Sequence, residues 1–227
     1  MFGRFGFSTS IFVAAILAVG AAQAQEPRSG WSGFHAGVSG GYQAGDFRHD
    51  FVPFFGAPPG DSDPDGVVLG GFAGYSRQVG RLVFGLEADV DFGDVEGSFS
   101  NPAGATSSGS ADLNWQGSIR ARVGLSGELM ERPALYYATG GWAAGDYDFE
   151  GGDAAGTVRG RFSDTANGWT AGVGVELKAT DRAALRLEYR YTDLGKASGA
   201  LAPDIPFVNM PVEIEYHTIR AGVSLRF

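Results

Sequence analysis

The 227-residue chain contains no cysteine, which excludes a disulfide scaffold, a cysteine-ligated zinc site and a thiol nucleophile. Histidine is scarce at three residues, so a serine–histidine–acid triad has few possible members. Positive charge is in deficit: 17 Lys and Arg stand against 26 Asp and Glu, for a formal net charge of −9. That balance disfavours a nucleic-acid partner, because phosphate binding needs clustered cations. Long apolar runs are also missing. The longest, from Ile11 to Ala22, is about a dozen residues, against the roughly 20 that a spanning helix needs. Any crossing of a bilayer must therefore be made by strands.

What is present begins with MFGRFGFSTSIFVAAILAVGAAQAQEP. Arg4 supplies a positive start, Ile11 to Ala22 an apolar core, and Ala22-Gln23-Ala24 a small-x-small cleavage pattern. Residues 1–24 read as a secretory signal peptide cut after Ala24, which leaves 25–227 as one exported domain of barrel or sandwich type. Without disulfides, that domain must be stabilised by a core or by a closed sheet. The 37 glycines follow no collagen period and fall inside strand-like segments, where they suit tight curvature and close packing.

Period-two alternation dominates the rest of the chain, in eight segments. The first, Gly33 to Tyr42, sets Phe34, Ala36, Val38 and Tyr42 against His35, Gly37 and Ser39. The second, about Val67 to Arg77, is glycine-rich and its faces are not resolved. The third, LVFGLEADVDF from Leu82, sets Leu82, Phe84, Leu86, Ala88, Val90 and Phe92 against Glu87, Asp89 and Asp91. The fourth is LNWQGSIRARVGL from Leu113. The fifth, about Ala134 to Tyr147, is apolar on both faces and ambiguous in register. The sixth opposes Trp169, Ala171, Val173, Val175 and Leu177 to Thr170, Glu176 and Lys178. In the seventh, Leu185, Leu187, Tyr189 and Tyr191 oppose Arg186, Glu188 and Arg190. The last opposes Ile219, Ala221, Val223, Leu225 and Phe227 to Thr218, Arg220, Ser224 and Arg226. Prolines fall between segments or at their margins, as they must if each segment donates ladder hydrogen bonds.

Long and short linkers alternate. Long ones precede Val67, run from Asp94 to Ser110, from Asp148 to Ala166 and from Leu194 to Pro211; short ones lie near Gly80, Gly127–Pro133 and Thr180-Asp181. All long loops then emerge at one end of an up-and-down sheet, the plan of transmembrane barrels with short periplasmic turns and long extracellular loops.

Alternation alone fits a soluble barrel with an apolar inside as well as a membrane barrel with an apolar outside. Three features favour the membrane. Aromatics gather near segment ends, as interfacial girdles require. The polar faces carry both signs of charge at similar depths. The chain finishes on Phe227 after Leu225, Val223, Ala221 and Ile219, the form of terminal strand that serves as an outer-membrane assembly signal. Magnitude fixes the register of the fourth segment. An arginine facing lipid at mid-bilayer costs roughly 2–4 kcal/mol, so Arg120 and Arg122 belong inside and Ile119 and Val123 outside. The expected interior network comprises Glu87, Asp89, Arg120, Arg122, Glu188, Arg190 and Arg220, with Glu87 and Asp89 as partners of the two arginines in LNWQGSIRARVGL. An eight-stranded barrel is just wide enough for side chains to fill, which predicts a plug of paired charges in place of an open pore.

LVFGLEADVDFG, LYYATGGWAAGD, GWTAGVGVELKATDRAALRLEYRYTDLG and the terminal HTIRAGVSLRF resemble the small outer-membrane β-barrel surface proteins of alphaproteobacteria. These carry "outer membrane β-barrel" or "porin family" labels and are related in architecture to the OmpA transmembrane domain. The resemblance covers most of the mature chain. It implies an all-β, eight-stranded antiparallel barrel in the Gram-negative outer membrane, with a structural, surface-exposed role in envelope integrity. The peptidoglycan-binding domain of full-length OmpA-type proteins is not expected. The porin label conflicts with a charged lumen, although a narrow channel remains the alternative.

Other chemistry is thinly supported. DSDPDG from Asp61 begins like a calcium loop, but the position for the bidentate Glu is Phe72. It reads as a solvated acidic loop end. The many loop acids could associate with divalent cations of lipopolysaccharide or simply keep the loops soluble. His35, His49 and His217 form no triad with neighbouring residues in sequence, so no enzyme is expected. Haem binding, proposed for some members of the resembled group, would have His49, Tyr147 and Met210 as conceivable loop ligands; no cofactor is expected. The expected partners are outer-membrane lipid, lipopolysaccharide and the barrel-assembly machinery, with the protein itself a monomer.

Overall fold

The computed structural model describes residues 30–49, 60–62, 64–100, 107–153, 159–200, 202–203 and 209–227. The signal peptide expected at 1–24, with its cleavage point at Ala24, lies outside the described residues. The eight alternating segments become eight long strands: β1 (Gly33–His49), β2 (Asp65–Val79), β3 (Leu82–Ser100), β4 (Ser107–Leu129), β5 (Arg132–Asp153), β6 (Arg159–Lys178), β7 (Ala183–Ala200) and β8 (Asn209–Arg226). Two short pieces, Gly60–Ser62 and Ala202–Pro203, add to β1 and β6. Each long strand pairs antiparallel with the next, and β8 pairs with β1. The sheet therefore closes into an eight-stranded up-and-down barrel, the architecture read from the alternation. Closure satisfies backbone groups that no water could reach in a bilayer.

The stagger follows from the register. His35 faces Gly74, and the path continues through Glu87, Arg120, Gly141, Thr170, Thr192 and Tyr216 to Gly45 on β1. One circuit thus returns ten residues further along the starting strand. With about 3.3 Å per residue and 4.8 Å between strands, that stagger tilts the strands by about 40°. At this tilt the outward residues from Leu82 to Phe92 cover about 25 Å, the height of an outer-membrane apolar band.

The apolar set of each strand faces outward. Leu69, Leu86, Ile119, Val173, Leu187 and Ile219 are exposed on the outer surface. Exposed aromatics bound this belt at two levels. Phe34, Tyr75, Phe84, Tyr136 and Phe227 lie toward the short-turn end, and Tyr42, Phe92, Trp115, Trp142 and Trp169 toward the other. Trp31, in contrast, is buried just before β1. In vesicles of brominated lipid, single-tryptophan variants keeping only Trp142 or Trp169 are expected to lose most of their fluorescence. A variant keeping only Trp31 is expected to lose little; strong quenching there would contradict its placement inside the mouth.

Glycine lets the inner wall accept large side chains. At Gly141, opposite Arg120, a Cβ would come 2.7 Å from the Arg120 Cα. At Gly37 it would clash with the Phe72 ring. Alternation of small and large inward residues is how a small barrel fills its own bore.

The structure departs from the sequence reading in two respects. First, the long connections are shorter than expected, because strand pairing continues past the apolar belt: β3 runs to Ser100, β4 starts at Ser107, and β5 and β6 reach Asp153 and Arg159. These extensions are polar and glycine-rich. Backbone pairing does not need the hydrophobic alternation by which the segments were recognised. Second, β4 is irregular between Leu113 and Trp115, with an extra residue relative to β5. The bulge turns Leu113 into the interior while Trp115 stays outside, although both have the same parity in sequence. At the short-turn end, Met130 and Glu131 form the β4–β5 turn with φ of 52° and 61°. This left-handed pair matches the twist of a two-residue hairpin.

Candidate functional site in the barrel lumen

Strand alternation that sends apolar residues outward sends the charged set inward, to be buried together. On β3 the inward residues include Glu87, Asp89 and Asp91; on β4, Arg120 and Arg122; on β6, Glu176 and Lys178. On β7 they include Arg186, Glu188 and Arg190; on β8, Arg220 and Arg226. Such a concentration of buried charge is stable only if each group is paired and hydrogen-bonded.

Arg120 is the hub. Its Nη2 donates to Glu87 Oε1 at 2.9 Å and Asp89 Oδ2 at 3.0 Å, and its Nη1 to Glu188 Oε1 and Thr139 Oγ1, both at 3.0 Å. Arg190 Nη1 donates to Asp89 Oδ1 at 2.9 Å and its Nη2 to Glu188 Oε1 at 3.0 Å. Arg220 reaches Asp91 and donates to Ser39 Oγ at 3.0 Å, with Asp89 Oδ1 at 3.5 Å. Arg122 follows the sequence expectation only in part, keeping a longer ion pair with Glu87 while its shortest contact is with Glu176. Its Nη2 donates to Glu176 Oε1 on β6 at 2.8 Å, while Glu87 lies 3.8 Å from its Nη1. Successive inward residues of a tilted strand aim at different parts of the opposite wall, so neighbours in sequence acquire different partners.

Several members were absent from the sequence-derived set. Arg186 bonds both Glu87, through Nη1 at 2.9 Å, and Glu176, through Nε at 3.0 Å. Arg226 Nη2 donates to Glu176 Oε2 at 2.8 Å. His35 Nε2 lies 3.0 Å from Glu87 Oε2, and Tyr137 Oη donates to Glu188 Oε2 at 2.8 Å. The signal for Arg186 and Arg226 was available: each shares its strand's inward parity with a residue already named, Glu188 and Arg220. Aromatic faces cover three of the guanidinium groups: Arg122 lies 3.7 Å from the Tyr137 ring centre, Arg186 4.0 Å from that of Phe72, and Arg226 stacks on Trp31.

Two of these contacts fix the geometry of the bore. In a ring of eight, β3 and β7 stand opposite each other. Arg186–Glu87 and Arg190–Asp89 are both β3–β7 bonds and therefore cross the full diameter. Apolar layers lie on either side along the axis. Toward the long-loop end, Val68, Val95, Leu113, Tyr147, Leu194, Ile214 and Tyr216 pack with Ala143 and Ala166. Toward the short turns, Trp31 packs with Val83, Leu135, Tyr137 and Ala184. The Trp31 main-chain N–H donates to Gln78 Oε1 at 2.8 Å, and its carbonyl accepts from Arg226 Nη1 at 2.9 Å. The Arg226 guanidinium lies 4.6 Å from the indole ring centre, and Lys178 Nζ donates to the Gly30 carbonyl at 3.1 Å. Trp31 precedes the first alternating segment, so periodicity could not reveal it.

The remaining candidates are dispersed. His217 is on the outer surface, its Nδ1 2.7 Å from Tyr189 Oη. Tyr147 is not a loop residue: it is 1% exposed inside the barrel, so it cannot serve as the loop ligand considered for haem. The side chains of His49, Met210, Asp61 and Asp63 lie outside the described residues. Among the described residues no group of three or more His, Asp or Glu is arranged to hold a metal ion. Phe227 has an exposed ring, and its N–H donates to the Phe34 carbonyl at 2.9 Å.

A closed antiparallel barrel with an apolar belt of bilayer height, girdled by aromatics and filled with polar side chains, defines an integral outer-membrane β-barrel protein. The chain belongs to the family described as "Outer membrane protein beta-barrel domain", which matches residues 11–227. It is 33% identical over 210 residues to the 31 kDa outer-membrane immunogenic protein of Brucella melitensis, covering 87% of this chain and 84% of the relative. It is 34% identical over 171 residues to the 22 kDa outer membrane protein of Rhizobium leguminosarum bv. viciae, covering 74% and 66% respectively. Among solved structures, OprG of Pseudomonas aeruginosa matches with a TM-score of 0.56 at 14% identity, over 88% of this chain and 98% of that one. At that identity the likeness shows the fold alone. The protein is thus an alphaproteobacterial-type small barrel located in the Gram-negative outer membrane.

Proposed function

We propose that the protein is a monomeric structural barrel that stabilises the outer membrane and presents its loops at the cell surface, with no open pore and no enzymatic activity. The observation that carries this reading is the bonding across the whole bore between β3 and β7, held between two apolar layers. A hydrated ion entering such a bore would have to displace charge-assisted hydrogen bonds in a low-dielectric interior. The partners in this reading are outer-membrane lipid and lipopolysaccharide around the belt and loops, and the assembly machinery engaging the terminal strand at Phe227. Residues 1–24 act as the signal peptide, removed after Ala24. Neither a cofactor nor a nucleic acid enters the reading.

Planar-bilayer recording tests it. The wild-type protein is expected to pass no resolvable current. Arg120→Ala/Arg122→Ala then locates the seal: continued silence assigns it to the apolar layers together with the remaining charges, and new current assigns it to the two arginines. Large, stable currents through the wild type would overturn the proposal.

A further inference from the structure

Every exposed arginine whose side chain is described lies at the short-turn end. Arg77 is near the end of β2, Arg81 in the turn that follows, Arg132 at the start of β5, and Arg182 in the turn before β7. None of the four makes an ion pair with a described residue. Acids are available at the same end, since Glu128, Glu131 and Asp181 are exposed there. Two of the arginines instead donate to main-chain carbonyls: Arg81 Nε to Ser126 at 3.4 Å and Arg132 Nη1 to Ala179 at 3.3 Å. These bonds anchor the side chains and leave most of each guanidinium fork uncommitted. At the opposite end the exposed cation that is described, Lys196, is paired with Glu213 at 3.0 Å.

The position of the arginines matters as much as their charge. Arg77 shares the outward parity of Tyr75 and Val79 and faces Phe84 on β3. Arg132 lies four residues before the outward Tyr136. The cations therefore sit just beyond the aromatic edge of the apolar belt, at the depth of lipid headgroups. A planar guanidinium with free N–H groups matches two oxygens of a phosphodiester, a geometry an ammonium does not provide.

We propose that Arg77, Arg81, Arg132 and Arg182 form a basic rim that binds the anionic phospholipid headgroups of the periplasmic leaflet. The test compares refolded protein in phosphatidylcholine vesicles with protein in vesicles of the same chain length containing phosphatidylglycerol, at low salt. Phosphatidylglycerol is expected to shift the urea unfolding equilibrium toward the folded state by on the order of tenfold or more, and concentrated salt to abolish the shift. Arg77→Gln/Arg81→Gln/Arg132→Gln/Arg182→Gln is expected to lose the shift yet match wild type in phosphatidylcholine, and Lys196→Gln to keep it. If the fourfold variant does not refold, Arg77→Gln/Arg81→Gln and Arg132→Gln/Arg182→Gln each carry the test, with a partial loss expected from both. A shift that survives these substitutions overturns the proposal. So does an equal shift produced by inorganic phosphate in phosphatidylcholine vesicles, since the rim would then hold a free anion and not a headgroup.

Discussion

Arg120→Ala is expected to destabilise the barrel by about 3–5 kcal/mol, the penalty for removing one side of a buried ion pair. Arg120 donates to Glu87, Asp89 and Glu188 with no solvent exposure of its side chain. Its loss leaves three carboxylates with one fewer cation in a medium that cannot rehydrate them. Each keeps another partner, Arg186 for Glu87 and Arg190 for Asp89 and Glu188, which places the expected cost toward the lower part of that range. Reversible urea unfolding in micelles, followed by tryptophan fluorescence, measures it. Arg77, exposed and without an ion pair to a described residue, serves as a control in zwitterionic micelles, where Arg77→Ala is expected to stay within about 0.5 kcal/mol. A loss at position 120 no larger than the control would show that the buried contacts do not contribute to stability.

The second large effect concerns the adjacent position. Ile119 faces outward and pairs laterally with Ala88 and Trp142, near the middle of the apolar belt. Ile119→Arg is expected to cost about 2–4 kcal/mol in a bilayer, because the guanidinium meets hydrocarbon and not carboxylates. Arginine is thus stabilising at 120 and destabilising one residue earlier. The readouts are the unfolding midpoint in vesicles and the heat-dependent gel mobility that reports an intact barrel. Equal stability of wild type and Ile119→Arg would mean that this face does not meet lipid.

Which face of a strand meets which solvent was legible wherever alternation is regular, as from Leu82 to Phe92 and from Ala184 to Tyr191. It failed at Leu113, where a bulge reverses the parity, and was silent for β5, where Tyr137 points in and Tyr136 out with apolar residues on both faces. Inward charge was therefore readable strand by strand, but its connectivity was not. Parity gives a side chain's face, not its direction around the bore. Nothing in the sequence places Arg186 on β7 against Glu87 on β3, since that contact depends on closure and stagger. Trp31 and the inward turn of Tyr147 were missed for a related reason: one precedes the periodic segments, and the other lies where the apolar outer belt has ended but pairing continues.

Trp31 also carries information about time. Its carbonyl is bonded by Arg226, 195 residues away, and Arg226 reaches that position only when β8 has joined β1. Contacts of such separation form late, after the loops between them have been closed. The indole is thus expected to act as a clock for the last event of assembly, open to water before the seam shuts and shielded once it has. Stalled assembly intermediates would reveal themselves by a tryptophan that acrylamide can still reach.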